Sequence, residues 1–272
     1  MHELLLITAL YTVCTLFFTS AVFVLARLLR DNSIMDTTYG LTFIFSTWML
    51  VWYFGLSAQT YALAIIVTLW GLRLTYRIGR KNWGTPEDPR YAVWRNAWIQ
   101  RGRLYFWIRS YLQINVLQGL IVVAISLPII ISFTVSATIH PILLWLGVGI
   151  SLFGLTYESL ADWQLDRFLA GKRAGTEPTT LLQTGLFYYS RRPNYFGESL
   201  VWFGQAIAVS SFNWQLLAFI GPATITYILV RVTGPMLERI FIEKYPEAYG
   251  IYMRTTNYMI PGKLRANVAN KG

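Results

Sequence analysis

Three short segments hold the residues whose types and spacing could do chemistry. In Trp70-Gly71-Leu72-Arg73-Leu74-Thr75-Tyr76-Arg77-Ile78-Gly79-Arg80, the residues Arg73, Tyr76, Arg77 and Arg80 recur at spacings of three and four. On a helix they share one face, and a guanidinium fork suits phosphate oxygens. In the second segment, Glu158, Asp162 and Asp166 fall at i, i+4 and i+8. Such carboxylates can accept hydrogen bonds from ribose hydroxyls or a carboxamide, or pair with the arginines. The third segment is Ser190-Arg191-Arg192-Pro193-Asn194-Tyr195-Phe196-Gly197-Glu198. Pro193 suits a first helical turn, Asn194 and Glu198 follow at i, i+4, and Gly197 permits a close approach to the backbone. The plainer readings are snorkelling arginines, a solvated acidic stripe and a paired topology anchor.

The rest of the chain says what must position these groups. It has 272 residues, with 23 Lys and Arg against 13 Asp and Glu, a net charge of +10. Charged residues make up 13%, hydrophobic ones 55% and aromatic ones 16%, where a soluble domain carries about 25% charged residues. Mean hydropathy is +0.44. This composition excludes a disordered chain, and the lone Cys14 excludes a disulfide scaffold. Cys14, in mid-span, reads as a packing residue, and His2 and His140 make no metal site. An all-α integral membrane bundle, one domain over 1–272, is expected.

A crossing helix needs about 20 apolar residues. Runs of that kind predict seven spans, near 4–26, 39–57, 60–78, 111–132, 141–158, 195–211 and 214–230. The first lacks a basic flank and a cleavage site, so it reads as a span rather than a signal peptide. Alternation places 27–38, 79–110, 159–194 and 231–272 on one side, with every loop Lys and Arg. The positive-inside rule makes that side cytoplasmic and the N-terminus external. The charge is thus a topology pattern that meets membrane lipids, Lys263, Arg265 and Lys271 in a basic tail included, and not a nucleic-acid footprint. Carboxylates at the membrane boundary need partners, which makes Glu158, Asp162 and Glu198 the informative ones.

The third segment resembles the Ser-Arg-His-Pro-Asn-Tyr-x-Gly-Glu signature of bacterial steroid 5-alpha-reductase-like membrane proteins. Further blocks agree: Asp36-Thr37-Thr38-Tyr39-Gly40; Trp70-Gly71-Leu72-Arg73-Leu74 with Asn82-Trp83-Gly84 and Glu87-Asp88-Pro89-Arg90-Tyr91; and Tyr249, Tyr252, Thr255-Thr256 and Ile260-Pro261. The resemblance implies a seven-helix protein of the bacterial inner membrane that binds NADPH from the cytoplasm and reduces a conjugated double bond in a lipid-like substrate. It assigns cofactor contacts to Asp162, Asn194 and Glu198, then to Arg191, Tyr195, Arg73 and Arg77. Two positions depart from the pattern. Arg192 stands where the signature has His, and the second span lacks the Gln-Glu pair of the steroid enzymes.

Enone reduction needs a donor at the carbonyl oxygen, where charge develops. Tyr39 or Tyr76 is the expected donor, with Asp36 orienting it or holding the cofactor. The rival expectation is an S-adenosylmethionine-dependent methyltransferase of the isoprenylcysteine or phospholipid type. Those enzymes show a related Arg-His-Pro-x-Tyr element and a Glu-Glu pair on the last helix, where this chain has Glu238-Arg239. A catalytically inactive relative is the third reading. A transporter would need polar or broken segments at the midplane, and these spans are apolar there.

Overall fold

The structure, a computed structural model, describes residues 2–55, 57–134, 140–210 and 214–262. The tail cations Lys263, Arg265 and Lys271, and parts of the external links expected near 133–140 and 212–213, lie outside the described residues. Helices dominate, and among the described residues the only extended pairing is a parallel bridge between Ser190 and Asn257. Among the described residues, five helices are long and apolar enough to cross a membrane: His2–Leu29, Gln59–Asn82, Arg103–Ile125, Pro141–Ala174 and Gln215–Lys244. They point to a membrane protein. The chain divides into two compact units, Met1–Val148 with Ile207–Gly221, and Gly149–Ala206 with Pro222–Gly272.

In the first unit, α1 (His2–Leu29) packs on α2 (Ile34–Phe54) and α2 on α3 (Ala58–Asn82). Hydroxyls join α1 to its neighbours. Tyr11 donates to Ser126 at 2.9 Å and lies 3.4 Å from the Thr47 hydroxyl, while Thr15 and Ser46 meet at 2.9 Å. Lipid gives helices little hydrophobic reason to associate, so such bonds and close packing hold a bundle together. The closest packing is at Gly40 and Gly71, where a Cβ on Gly71 would stand 2.7 Å from the Gly40 carbonyl oxygen. The chain leaves α2 through Gly55, at φ 80°, and Ser57 caps α3 by accepting from the Thr60 N–H.

The Glu87-Asp88-Pro89-Arg90-Tyr91 block ties the α1–α2 turn to α4 (Pro89–Ile99). Asp88 caps α4 and Pro89 opens it. Glu87 accepts from the Asn32 N–H and from Arg95, whose Nη2 also reaches the Arg30 carbonyl. The Asp88 N–H donates to Ser33 Oγ at 2.8 Å. Next come α5 (Arg103–Ser110), a π-helical turn over Tyr111–Val116 and α6 (Leu117–Ile125), one continuous helix. Pro128 follows in α7 (Leu127–Ser132) and marks the break with α6.

The second unit is built on α8 (Pro141–Ala174), whose 34 residues measure about 51 Å at 1.5 Å each. That exceeds a hydrocarbon core of about 30 Å, so its last turns stand in water if it crosses. Gly175, at φ 70°, follows the helix. The short α9 (Leu186–Tyr189) leads into α10 (Pro193–Val209). Then α11 (Ile220–Tyr227), a π-helical turn over Ile228–Thr233 and α12 (Gly234–Lys244) run as one helix. The last element is α13 (Pro246–Thr255). Residues 190–192 pair with 257–259: the N–H groups of Arg191 and Arg192 donate to the carbonyls of Asn257 and Tyr258, and Ser190 Oγ to that of Met259.

Candidate functional site

Two clusters gather the predicted residues, one in each unit. In the first unit, Asp36 lies in the opening turn of α2. It accepts from the Tyr91 hydroxyl at 2.7 Å, from Arg90 Nη2 at 2.8 Å and from Gln118 Nε2 at 3.4 Å. Gln118 Nε2 also lies 3.3 Å from the Tyr91 oxygen. Tyr91 is only 3% exposed. Burial, then the Asp36 charge and its hydrogen bond, push the phenol well above its usual range, against the pull of Arg90. The phenol is therefore neutral, with its proton aimed at a carboxylate. The Arg90 guanidinium beside Asp88 and Asp36 stays firmly protonated.

Asp36 thus orients a tyrosine, but not one of the two expected from the sequence. Tyr39 packs edge-on against Phe43 at 5.2 Å between ring centroids. Tyr76 is 68% exposed on the outward side of α3. Arg73 and Arg77 are half-buried and Arg80 is exposed, so the expected cationic face divides between inner and outer positions. Tyr91 and Gln118 lie 55 and 82 residues from Asp36, and only the Glu-Asp-Pro-Arg-Tyr block gave a sign of the first.

In the second unit, α8 and α10 run antiparallel through a glycine crossing. Gly154 lies against Val201 and the Gly197 carbonyl, and Gly197 lies against Glu158. Ser151 Oγ donates to the Val201 carbonyl at 2.8 Å. A Cβ on Gly197 would stand 2.7 Å from the backbone nitrogen of Glu158. The close approach expected at Gly197 is therefore made by a helix. Glu158 and Asp162 are 3% and 5% exposed, while Asn194 and Glu198 are half-buried. Asp162 is one turn past Glu158 and Asn194 nearly one turn before Gly197, so the antiparallel register brings two separated motif blocks to one level.

Arg191 is a structural tie. Its Nε and Nη2 donate to Glu238 Oε1 at 3.1 and 2.7 Å, and its Nη1 donates to the carbonyls of Met253 and Thr256, both at 2.9 Å. Tyr249 stacks on Phe241 and reaches Glu238 at 3.4 Å, and Tyr252 donates to the Phe187 carbonyl at 2.6 Å. Burial raises both phenols; for Tyr249 the Arg192 charge opposes it. The C-terminal tyrosines and Thr256 thus form the support under Ser190–Arg192. Tyr195 is 6% exposed. A groove of about 620 Å³ opens near the end of α8, lined by Trp163, Gln164, Arg167 and Glu177 among others. None of the predicted site residues lines it.

No solved structure matches the chain. It is 28% identical over 260 residues to the uncharacterized protein C594.04c of Schizosaccharomyces pombe, covering 84% of this chain and 70% of that protein. Residues 22–256 match the family described as "Protein of unknown function (DUF1295)", a stretch that takes in both clusters, and the chain belongs to that family.

Proposed function

We propose that the protein is a steroid 5-alpha-reductase-like membrane enzyme that uses NADPH to reduce a conjugated carbon–carbon double bond in a steroid-like or other lipid enone. The observation that carries this reading is the glycine crossing: Gly197, between Asn194 and Glu198 on α10, lies against Glu158 on α8, and Glu158 and Asp162 are buried. The residues present fit the cofactor. Buried carboxylates suit ribose hydroxyls and a carboxamide, and among the described residues Arg192 Nε and Nη2 have no acceptor.

When bound, NADPH supplies the hydride for the carbon β to the carbonyl. The chain's own part is to receive the charge that then develops on the carbonyl oxygen. Tyr91, whose hydroxyl rests on Asp36, joins Tyr39 and Tyr76 as a candidate donor for that oxygen. Its raised pKa keeps the proton available, and Arg90 and Gln118 hold Asp36 meanwhile. The methyltransferase reading has less support, because Glu238 is engaged by Arg191 and is a poor receiver for a second cation.

Detergent-purified protein titrated in parallel with NADPH, NADH and S-adenosylmethionine tests the reading. Saturable NADPH binding, weakened at least about tenfold in Glu198→Gln, is expected from loss of a charged acceptor. In a screen of lipid enones, Tyr91→Phe should lower kcat by about 100-fold with NADPH affinity intact. Binding of S-adenosylmethionine alone would overturn the reductase in favour of the methyltransferase.

A further inference from the structure

Arg192, in the second unit, is a partly buried cation with no ion pair among the described residues. Its backbone is fixed, since its N–H donates to the Tyr258 carbonyl at 3.0 Å and to Ser190 Oγ at 3.1 Å. Its guanidinium lies over Tyr195 and Phe241, 5.9 and 5.4 Å from the ring centroids. The rings hold the charge in place, but a π-face replaces only part of the hydration that a cation loses. Nε and Nη2 are enclosed with no hydrogen-bond partner, and among the described residues Arg192 forms no ion pair. The adjacent Arg191 has Nε, Nη1 and Nη2 all bonded and a carboxylate at 2.7 Å. Beside Arg192, the Tyr195 hydroxyl has no hydrogen bond among the described residues, although the residue is 6% exposed.

Two buried guanidinium nitrogens without an acceptor are unfavourable unless an anion completes them. A planar fork next to a neutral O–H donor matches tetrahedral oxyanions, above all phosphoryl oxygens. We infer that Arg192, caged by Tyr195 and Phe241 and assisted by the Tyr195 hydroxyl, is a phosphoryl-binding site of this protein. The inference deepens the reductase reading and rests on it for one source of the ligand, a phosphate of the dinucleotide. The other source with the same chemistry is the headgroup of an anionic phospholipid.

The test uses the full chain in a phosphate-free maltoside detergent, with binding isotherms and thermal shifts for NADPH, NADH, inorganic pyrophosphate and phosphatidylglycerol. The variants are Arg192→Gln, Arg192→Lys and Tyr195→Phe. If the dinucleotide is the ligand, Arg192→Gln weakens NADPH at least tenfold, equivalent to about 1.4 kcal/mol. Arg192→Lys keeps part of that affinity, and Tyr195→Phe loses a smaller factor. An NADH affinity that changes little assigns the site to the extra phosphate; a parallel fall assigns it to the pyrophosphate. NADPH binding that is equal in wild type and Arg192→Gln, with neither pyrophosphate nor lipid responding to the substitution, overturns the inference and leaves the reductase reading standing. Should wild type bind neither nucleotide, the reductase reading fails on its own. The site then stands if phosphatidylglycerol or pyrophosphate stabilises wild type but not Arg192→Gln, and falls if neither does. Should Arg192→Gln not fold, the same comparisons are read from Arg192→Lys.

Discussion

Arg191 and Arg192 are neighbours in the chain and opposites in their surroundings, and the difference sets what each substitution should do. Arg191 is pinned to Glu238 and two carbonyls with its side chain 8% exposed. Replacing Glu238 by Gln leaves a nearly buried guanidinium without its counter-charge, a loss of about 3 kcal/mol. For a chain of this size that is a fall in melting temperature of roughly 6 °C or more. Arg192→Gln, by contrast, removes a charge without a counter-ion and forfeits two weak ring contacts. Those contacts are worth about 0.5–1 kcal/mol each, partly offset by the loss of an unpaired charge, so its melting temperature without ligand should fall by less than about 4 °C. Differential scanning fluorimetry on the two variants reads both falls, and equal losses would contradict the assignment. The chain text could not separate these arginines, because Glu238 is 47 residues away and belongs to a different motif block. The same holds for Tyr91. Its block was visible, but its pairing with Asp36 depends on a turn between α1 and α2 that no local pattern encodes.

Among the elements, the motif glycines turn out to be contact points between helices. Gly40 and Gly71 sit in the Asp36–Gly40 and Trp70–Leu74 blocks, and each lies against the other's backbone. Gly154 and Gly197 do the same for α8 and α10. The periodicity of the chain indicated which residues share a helix face, but not which helix meets that face. A small residue in an apolar run marks a close approach without naming the partner. The pair Gly149 and Gly197 makes the point testable, since both are mid-helix. A Cβ at Gly149 meets nothing within 4 Å, whereas one at Gly197 meets the backbone of Glu158 at 2.7 Å. Gly149→Ala should therefore stabilise by up to about 1 kcal/mol through helix propensity. Gly197→Ala should destabilise by about 1–3 kcal/mol through overpacking, and should also weaken NADPH if the crossing holds the cofactor carboxylates. A melting shift of the same sign for both would show that the crossing is looser than the geometry indicates.

For the whole molecule, apolar runs in the sequence and the length and mean hydropathy of the helices lead to different counts of membrane crossings. Among the described residues, five helices qualify by length and composition; the seven spans expected from the apolar runs, which the charge segregation supports, add α2, of 21 residues, and α10, of 17. The shortfall in α2 comes from its Thr, Ser, Trp and Tyr side chains. Several of these are satisfied within the protein: Thr47 by Tyr11, Ser46 by Thr15, Thr38 and Thr42 by carbonyls one turn back, and Trp48 by Thr68. A hydroxyl bonded in this way no longer demands water, so it does not bar a helix from the bilayer. Hydropathy averages treat every Thr alike and miss this, whereas the one-sided distribution of Lys and Arg does not depend on it. We therefore expect both helices to cross. In a Cys14→Ser background, single cysteines replacing Arg30 and Ser57 flank α2, and those replacing Arg192 and Ser210 flank α10. Labelling of right-side-out vesicles with a membrane-impermeant maleimide should modify the Ser57 and Ser210 positions directly, and the Arg30 and Arg192 positions only after permeabilisation. If both members of either pair reacted from the same side, that helix would lie within one face of the membrane and the count would fall accordingly.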